Sequence, residues 1–185
     1  MLNPILTTAI LITISTLVFN SCKKDCDCNS QNRLEFEENT IALNKAIIEN
    51  WSQHIQDEAY EGYRLIVGVY SPEVTIHYSN SDLDSLSGQG HGILFELFSE
   101  EANNFASTDY IFSTDHETGT FSFGIVYHNF LFEHDDWLEE SFINRGHLSI
   151  STINGELTLE FTGYFETGEL VTASYTGEYI YRMLI

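Results

Sequence analysis

The stretch HNFLFEHDDWLEE gathers His128, His134, Asp135, Asp136, Glu139 and Glu140 on one long connection. Imidazole and carboxylate donors of this kind suit Ca²⁺ or Zn²⁺, which makes His134, Asp135, Asp136 and Glu139 the candidate metal ligands. Their spacing matches neither an EF-hand loop nor H-E-x-x-H, so a solvated acidic loop competes with calcium as the explanation. Trp137, in the same connection, and Trp51 offer flat contact area for a sugar or a partner protein. The alternative is that both indoles cap open ends of a core. His77, His128 and His147 fall on the polar sides of alternating segments and read as surface imidazoles. His91, flanked by glycines in GQGHGIL, reads as a bulge or the start of a strand. No G-x-S-x-G elbow, P-loop or Rossmann glycine pattern occurs. Glycan hydrolysis by two carboxylates is the enzymatic alternative, and nothing in the sequence selects the pair it needs.

The chain has three cysteines, Cys22, Cys26 and Cys28, directly behind an apolar run. From Ile5 to Phe19 no charge interrupts roughly 15 residues, which fits a signal-peptide core and falls short of the ~20 that span a bilayer as a helix. Phe19-Asn20-Ser21-Cys22 resembles the lipobox of bacterial lipoproteins, in which the cysteine is acylated and becomes the new N-terminus. The resemblance implies lipid attachment at Cys22, with residues 1–21 removed. Two or more acyl chains anchor stably, at ~0.8 kcal/mol per buried CH₂. Cys26 and Cys28 supply two of the four ligands a zinc site needs, and read as an incidental or intermolecular pair. Residues 22–38 then form a polar tether, and 39–185 a single domain.

Seven Lys+Arg against 28 Asp+Glu give a formal charge of -21. Such a surface repels phosphate backbones, so nucleic acid is not an expected partner. The hydrophobic content of 43%, with only 2 Pro, is that of a chain that folds around a core.

Beyond Gly62 the hydrophobic period is two. YRLIVGVY aligns Tyr63, Leu65, Val67 and Val69; VTIHY aligns Val74, Ile76 and Tyr78; TFSFGIVYHNF aligns Phe121, Phe123, Ile125 and Tyr127. In LSISTINGELTLEF, a two-residue turn at Asn154-Gly155 pairs Thr152 with Leu157, Ile150 with Leu159 and Leu148 with Phe161, so every large apolar residue shares one face. A three-residue loop, Glu166-Thr167-Gly168, sets Phe161 opposite Ala173 and Gly163 opposite Val171, whereas a two-residue loop would mix polar with apolar. TDHETGT reads as one more hairpin loop. The stretch NTIALNKAIIENWSQHIQ is ambiguous, since Ile47 or Ile48, Trp51 and Ile55 also share a helical face behind Asn39. Successive strands without helices point to an antiparallel β-sandwich or flattened barrel of about eight to ten strands.

The segments GYRLIVGVY, GQGHGILFELF, DYIFSTDHETGTFSFG and RGHLSISTINGELTLEF, followed by SYTGEYIY, resemble a group of uncharacterised Gram-negative lipoproteins with a small all-β domain. The likeness spans nearly the whole body and rests on strand and turn signatures. It implies an exported all-β domain with strand rather than helix around Ile41 to Trp51, and transfers no catalytic residue. The expectation is therefore a cell-envelope domain held on a lipid anchor, in the outer membrane, that binds a glycan or an envelope protein without catalysis. The alternatives are a two-carboxylate glycan hydrolase and a calcium-stabilised surface domain.

Overall fold

The computed structural model describes residues 32–51, 62–79, 82–102, 105, 107–132 and 140–183. Its elements are strands throughout: β1 (Arg33–Phe36), β2 (Asn39–Ala42), β3 (Lys45–Asn50), β4 (Tyr63–Tyr70), β5 (Thr75–Ser79), β6 (Asp82–Ser87), β7 (Gln89–Ser99), β8 (Thr108–Phe112), β9 (Thr120–Leu131), β10 (Glu140–Ile153), β11 (Glu156–Phe165), β12 (Leu170–Glu178) and β13 (Ile180–Met183). Eleven form one sheet in the order β13-β3-β4-β7-β9-β8-β10-β11-β12-β1-β2, with a further β9–β10 pairing, and β5 and β6 form a small sheet of their own. The large sheet is not closed into a barrel; it folds over so that its two halves face each other. Phe95 of β7 and Phe161 of β11 meet across the interior with ring centroids 4.8 Å apart. One apolar cluster takes side chains from β1, β3, β4 and β7 through β12.

Alternation produces this core. On β11, Leu157, Leu159, Phe161 and Phe165 are buried while Glu156, Glu160, Thr162 and Tyr164 point outward. The Asn154-Gly155 turn has φ of 55° and 85°, the left-handed values its type requires. The ladder pairs Thr152 with Leu157, Ile150 with Leu159 and Leu148 with Phe161, and the next pairs Phe161 with Ala173 and Gly163 with Val171. Both registers follow the hydrophobic pattern.

Gly146 and Gly163 face each other across the β10–β11 ladder, beneath the Phe161 ring. A Cβ on Gly163 would stand 2.3 Å from Phe161 Cζ and 2.6 Å from the Arg145 carbonyl oxygen. Backbone cannot yield there as a flexible side chain would. Gly163→Ala is therefore expected to destabilise the domain by about 2–3 kcal/mol, read as a lower urea midpoint at unchanged slope.

Several expectations are corrected. The tether does not extend to residue 38: Arg33–Phe36 is already a strand, with Leu34 and Phe36 buried, paired with both β12 and β2. The two apolar residues of β1 are lost to inspection among Arg33, Glu35, Glu37 and Glu38. The ambiguous segment, over its described part, is extended as β2 and β3, the strand expected around Ile41 to Trp51 rather than the helix its spacing also allows. The connection between β8 and β9 is not a hairpin, because Ile111–Phe112 and Thr120–Phe121 pair in parallel. Left-handed His116 and Gly119 curl this loop, the His116 ring stacks on Phe98, and Gly119 N–H donates to the Phe98 carbonyl. Packing against β7 thus replaces hairpin pairing. The all-β expectation holds, with thirteen strands among the described residues where eight to ten are expected; the short β1, β2 and β13 are among those with little pattern of their own.

The strand directions define two ends. Asn32 is bound to Thr176 of β12 through two hydrogen bonds, of 2.9 and 2.7 Å, at the near end. The β10–β11 hairpin lies at that end too. The Glu37 turn and the Glu166–Gly168 turn lie at the far end.

Candidate functional site

The outer face of the first half carries an unusual band of charge and aromatic rings. Ile48, Val67 and Phe95 point into the core, so their neighbours Glu49, Ile66 and Glu96 point out, aligned across β3, β4 and β7 and continued by Phe123 on β9. Arg182 of β13 donates to Glu49 Oε1 at 3.4 Å, and Trp51 Nε1 donates to Glu49 Oε2 at 3.3 Å. Arg64 Nε donates to Glu96 Oε1, and Ser122 Oγ to Glu96 Oε2 at 2.8 Å. Both carboxylates are shielded, each 14% exposed at the side chain. Ion pairs at this depth hold geometry more firmly than surface pairs, and removing one partner strands a charge.

The band then becomes apolar. Phe123 meets Phe142 of β10 edge to face at 5.8 Å, and the two are 36% and 41% exposed. Further along, the Arg145 guanidinium lies 4.2 Å over the Tyr164 ring, and Tyr164 pairs with the exposed Leu170. Leu170, Phe36, Thr172, Glu35, Glu37 and Glu169 line an open groove of about 340 Å³ at the far end.

A bulge creates this surface. On β9 the ladder passes from Phe121 opposite Leu97 to Phe123 opposite Glu96, leaving Ser122 as the extra residue. The alternation reverses there, so Phe121 and Val126 enter the core while Phe123 turns outward, against the single face expected for Phe121, Phe123, Ile125 and Tyr127. The same reversal turns His128 inward. It is not the surface imidazole expected: it packs edge to face on Phe36 at 5.1 Å and stacks on His91 at 5.0 Å.

Of the other residues marked by sequence, Trp51 lies half-buried on the outer band. Cys22, Cys26, Cys28, His134, Asp135, Asp136, Trp137 and Glu139 lie outside the described residues. Among the described residues, no group of three or more His, Cys, Asp or Glu side chains is placed to hold a metal ion. His77 is exposed, and His147 is exposed with Asp109 at 3.6 Å. Ser71, His91 and Glu73 meet without forming a catalytic triad. The Ser71 hydroxyl accepts from the His91 backbone N–H at 3.0 Å and bonds the Glu73 carboxylate, leaving it no role as nucleophile to the imidazole.

Phe123, Phe142 and Tyr164 were missed as surface candidates. Nothing in TFSFG announces the bulge, and Phe142 stands in no alternating run. The Tyr164–Arg145 pair was within reach, because extending the Asn154-Gly155 register past Gly163 sets them together. No protein-family model, curated protein or solved structure matches the chain.

Proposed function

We propose that this chain is a lipid-anchored, non-enzymatic domain of the cell envelope that binds a glycan across the outer face of its sheet. The observation that carries the reading is the exposed Phe123–Phe142 pair beside shielded, hydrogen-bonded charge on the outer face of the sheet. Rings present the apolar faces of sugars with large contact area at low entropic cost, and Arg145, Ser122 and the outer threonines offer hydroxyl partners. An open face suits a chain of sugars rather than a small molecule. A charge of -21 selects neutral or amino-sugar polymers over anionic ones. The lipobox-like Phe19-Asn20-Ser21-Cys22 supplies the anchor and the outer-membrane address. Glu49 and Glu96, the shielded carboxylates of the band, are both engaged by arginine, which leaves neither of them as an open acid for the hydrolase alternative.

The test is a glycan array probed with the full chain in detergent and with the double variant Phe123→Ala/Phe142→Ala. Neutral or amino-sugar polymers should be retained by the native protein. The double variant should bind about tenfold or more weakly with an unchanged melting temperature, as for loss of a binding hot spot. Retention of no glycan, or equal binding by the variant, overturns the reading. Capture of an envelope protein through the same rings would replace the glycan with a protein partner.

A further inference from the structure

At the far end of the core two imidazoles stack, and one of them holds the backbone in place. His91 Nδ1 accepts the Asn129 backbone N–H at 3.2 Å. Asn129 is the left-handed residue of a second β9 bulge, with φ of 55°, where Gly90 and Gly92 of β7 oppose Phe130 and Tyr127. Asparagine is among the few side chains that adopt the left-handed region, and the bond to His91 holds its backbone there. Beyond it, Phe130 and Phe132 pack against each other and Tyr127, Phe132 also against Tyr70, and Phe132 N–H donates to the Gly88 carbonyl at 3.1 Å.

A ring nitrogen that accepts a hydrogen bond is the nitrogen that takes a proton. In neutral His91 the proton sits on Nε2 and the Nδ1 lone pair faces Asn129; protonation places an N–H at Nδ1, where two donors would oppose each other. We propose that His91 is a proton-operated latch on the Asn129 bulge, closed when its Nδ1 accepts the Asn129 amide and released, with the Phe130–Phe132 segment, when that nitrogen is protonated.

The surroundings fix the direction of the response. From β9, His128 stacks on His91, and a second positive charge there would be repelled. From the β4–β5 turn, Glu73 attracts an imidazolium, but its carboxylate is already bonded to Ser71, and Lys45 of β3 reaches over the same turn to the Pro72 and Val74 carbonyls. From β1, Phe36 offers only an apolar edge to His128. Burial, and then His128, hold the His91 imidazole below its ordinary range against the smaller opposing pull of Glu73. Because the folded ring resists the proton more than the unfolded chain does, its contribution to stability is full above about pH 6.5. It falls as the pH drops through the lower value of the folded ring.

Nitrogen-15 spectra of the histidine rings and hydrogen exchange at Asn129, followed in the full chain from pH 7.5 to 5, test the latch. At pH 7.5 the His91 ring should carry its proton on Nε2. As the ring titrates, below 6.5, the Asn129 protection factor should fall about tenfold or more at the same midpoint. In His91→Asn, whose side-chain oxygen offers a similarly placed acceptor that takes no proton in this range, protection should stay constant. The opposite tautomer at pH 7.5, an Asn129 protection that ignores the His91 titration, or the same loss in His91→Asn would each overturn the proposal. If His91→Asn does not fold, the coincidence of the two wild-type midpoints decides alone.

Discussion

Phe95→Ala is expected to lower the unfolding free energy by about 3–5 kcal/mol, a large part of the ~5–15 kcal/mol that holds a domain of this size together. Phe95 is fully buried on β7 and is one of the rings through which the two halves of the sheet touch, 4.8 Å from Phe161 and 5.7 Å from Phe121. Gly124 lies beneath it, so the position directly opposite on β9 carries no side chain to fill the space that its removal leaves. Chemical denaturation should show the midpoint falling with little change in slope. Phe123→Ala on the same sheet, but on the outer face, should change stability by less than about 1 kcal/mol. Equal costs for the two would mean that Phe123 also lies in a core, contradicting the reversal of alternation at Ser122.

Cys22→Ala is expected to move the protein from the membrane fraction to the soluble one almost completely. Among the described residues no helix is long and apolar enough to cross a membrane, and a charge of -21 is repelled by anionic lipid headgroups. From Cys22 to Asn32 the chain has about ten residues, an extended reach of at most ~35 Å. It joins the domain at the near end, beside Thr176. Fractionation of cells expressing each form reads the effect, and membrane retention of the alanine variant would count against acylation as the anchor.

What could be read from the sequence was decided by local rules, and what could not depended on distant ones. The β10–β11–β12 meander was legible because Asn154-Gly155 and Gly168 fix turn type, and the alternation on both sides admits one register. β1 was hidden because four residues with two apolar positions are too few to show a period. The β8–β9 connection was misread because its glycine and aspartate suit a hairpin equally well, and only packing of His116 on Phe98 decides otherwise. The candidate face and the histidine pair both escaped for one reason. A single extra residue, Ser122, exchanges the faces of β9 from there to the second bulge at Asn129, sending Phe123 out and His128 in. A bulge of this kind is set by how β7 and β9 fit together, and leaves no signature in either strand alone.

The proposed attachment at position 22 is the premise of the envelope reading, and it is tested most directly by the intact mass of the native protein extracted from membranes. The predicted result is a polypeptide that begins at Cys22 and carries fatty acyl chains on that residue. A chain that still begins at Met1, or one that begins at Cys22 without added acyl mass, would contradict the account.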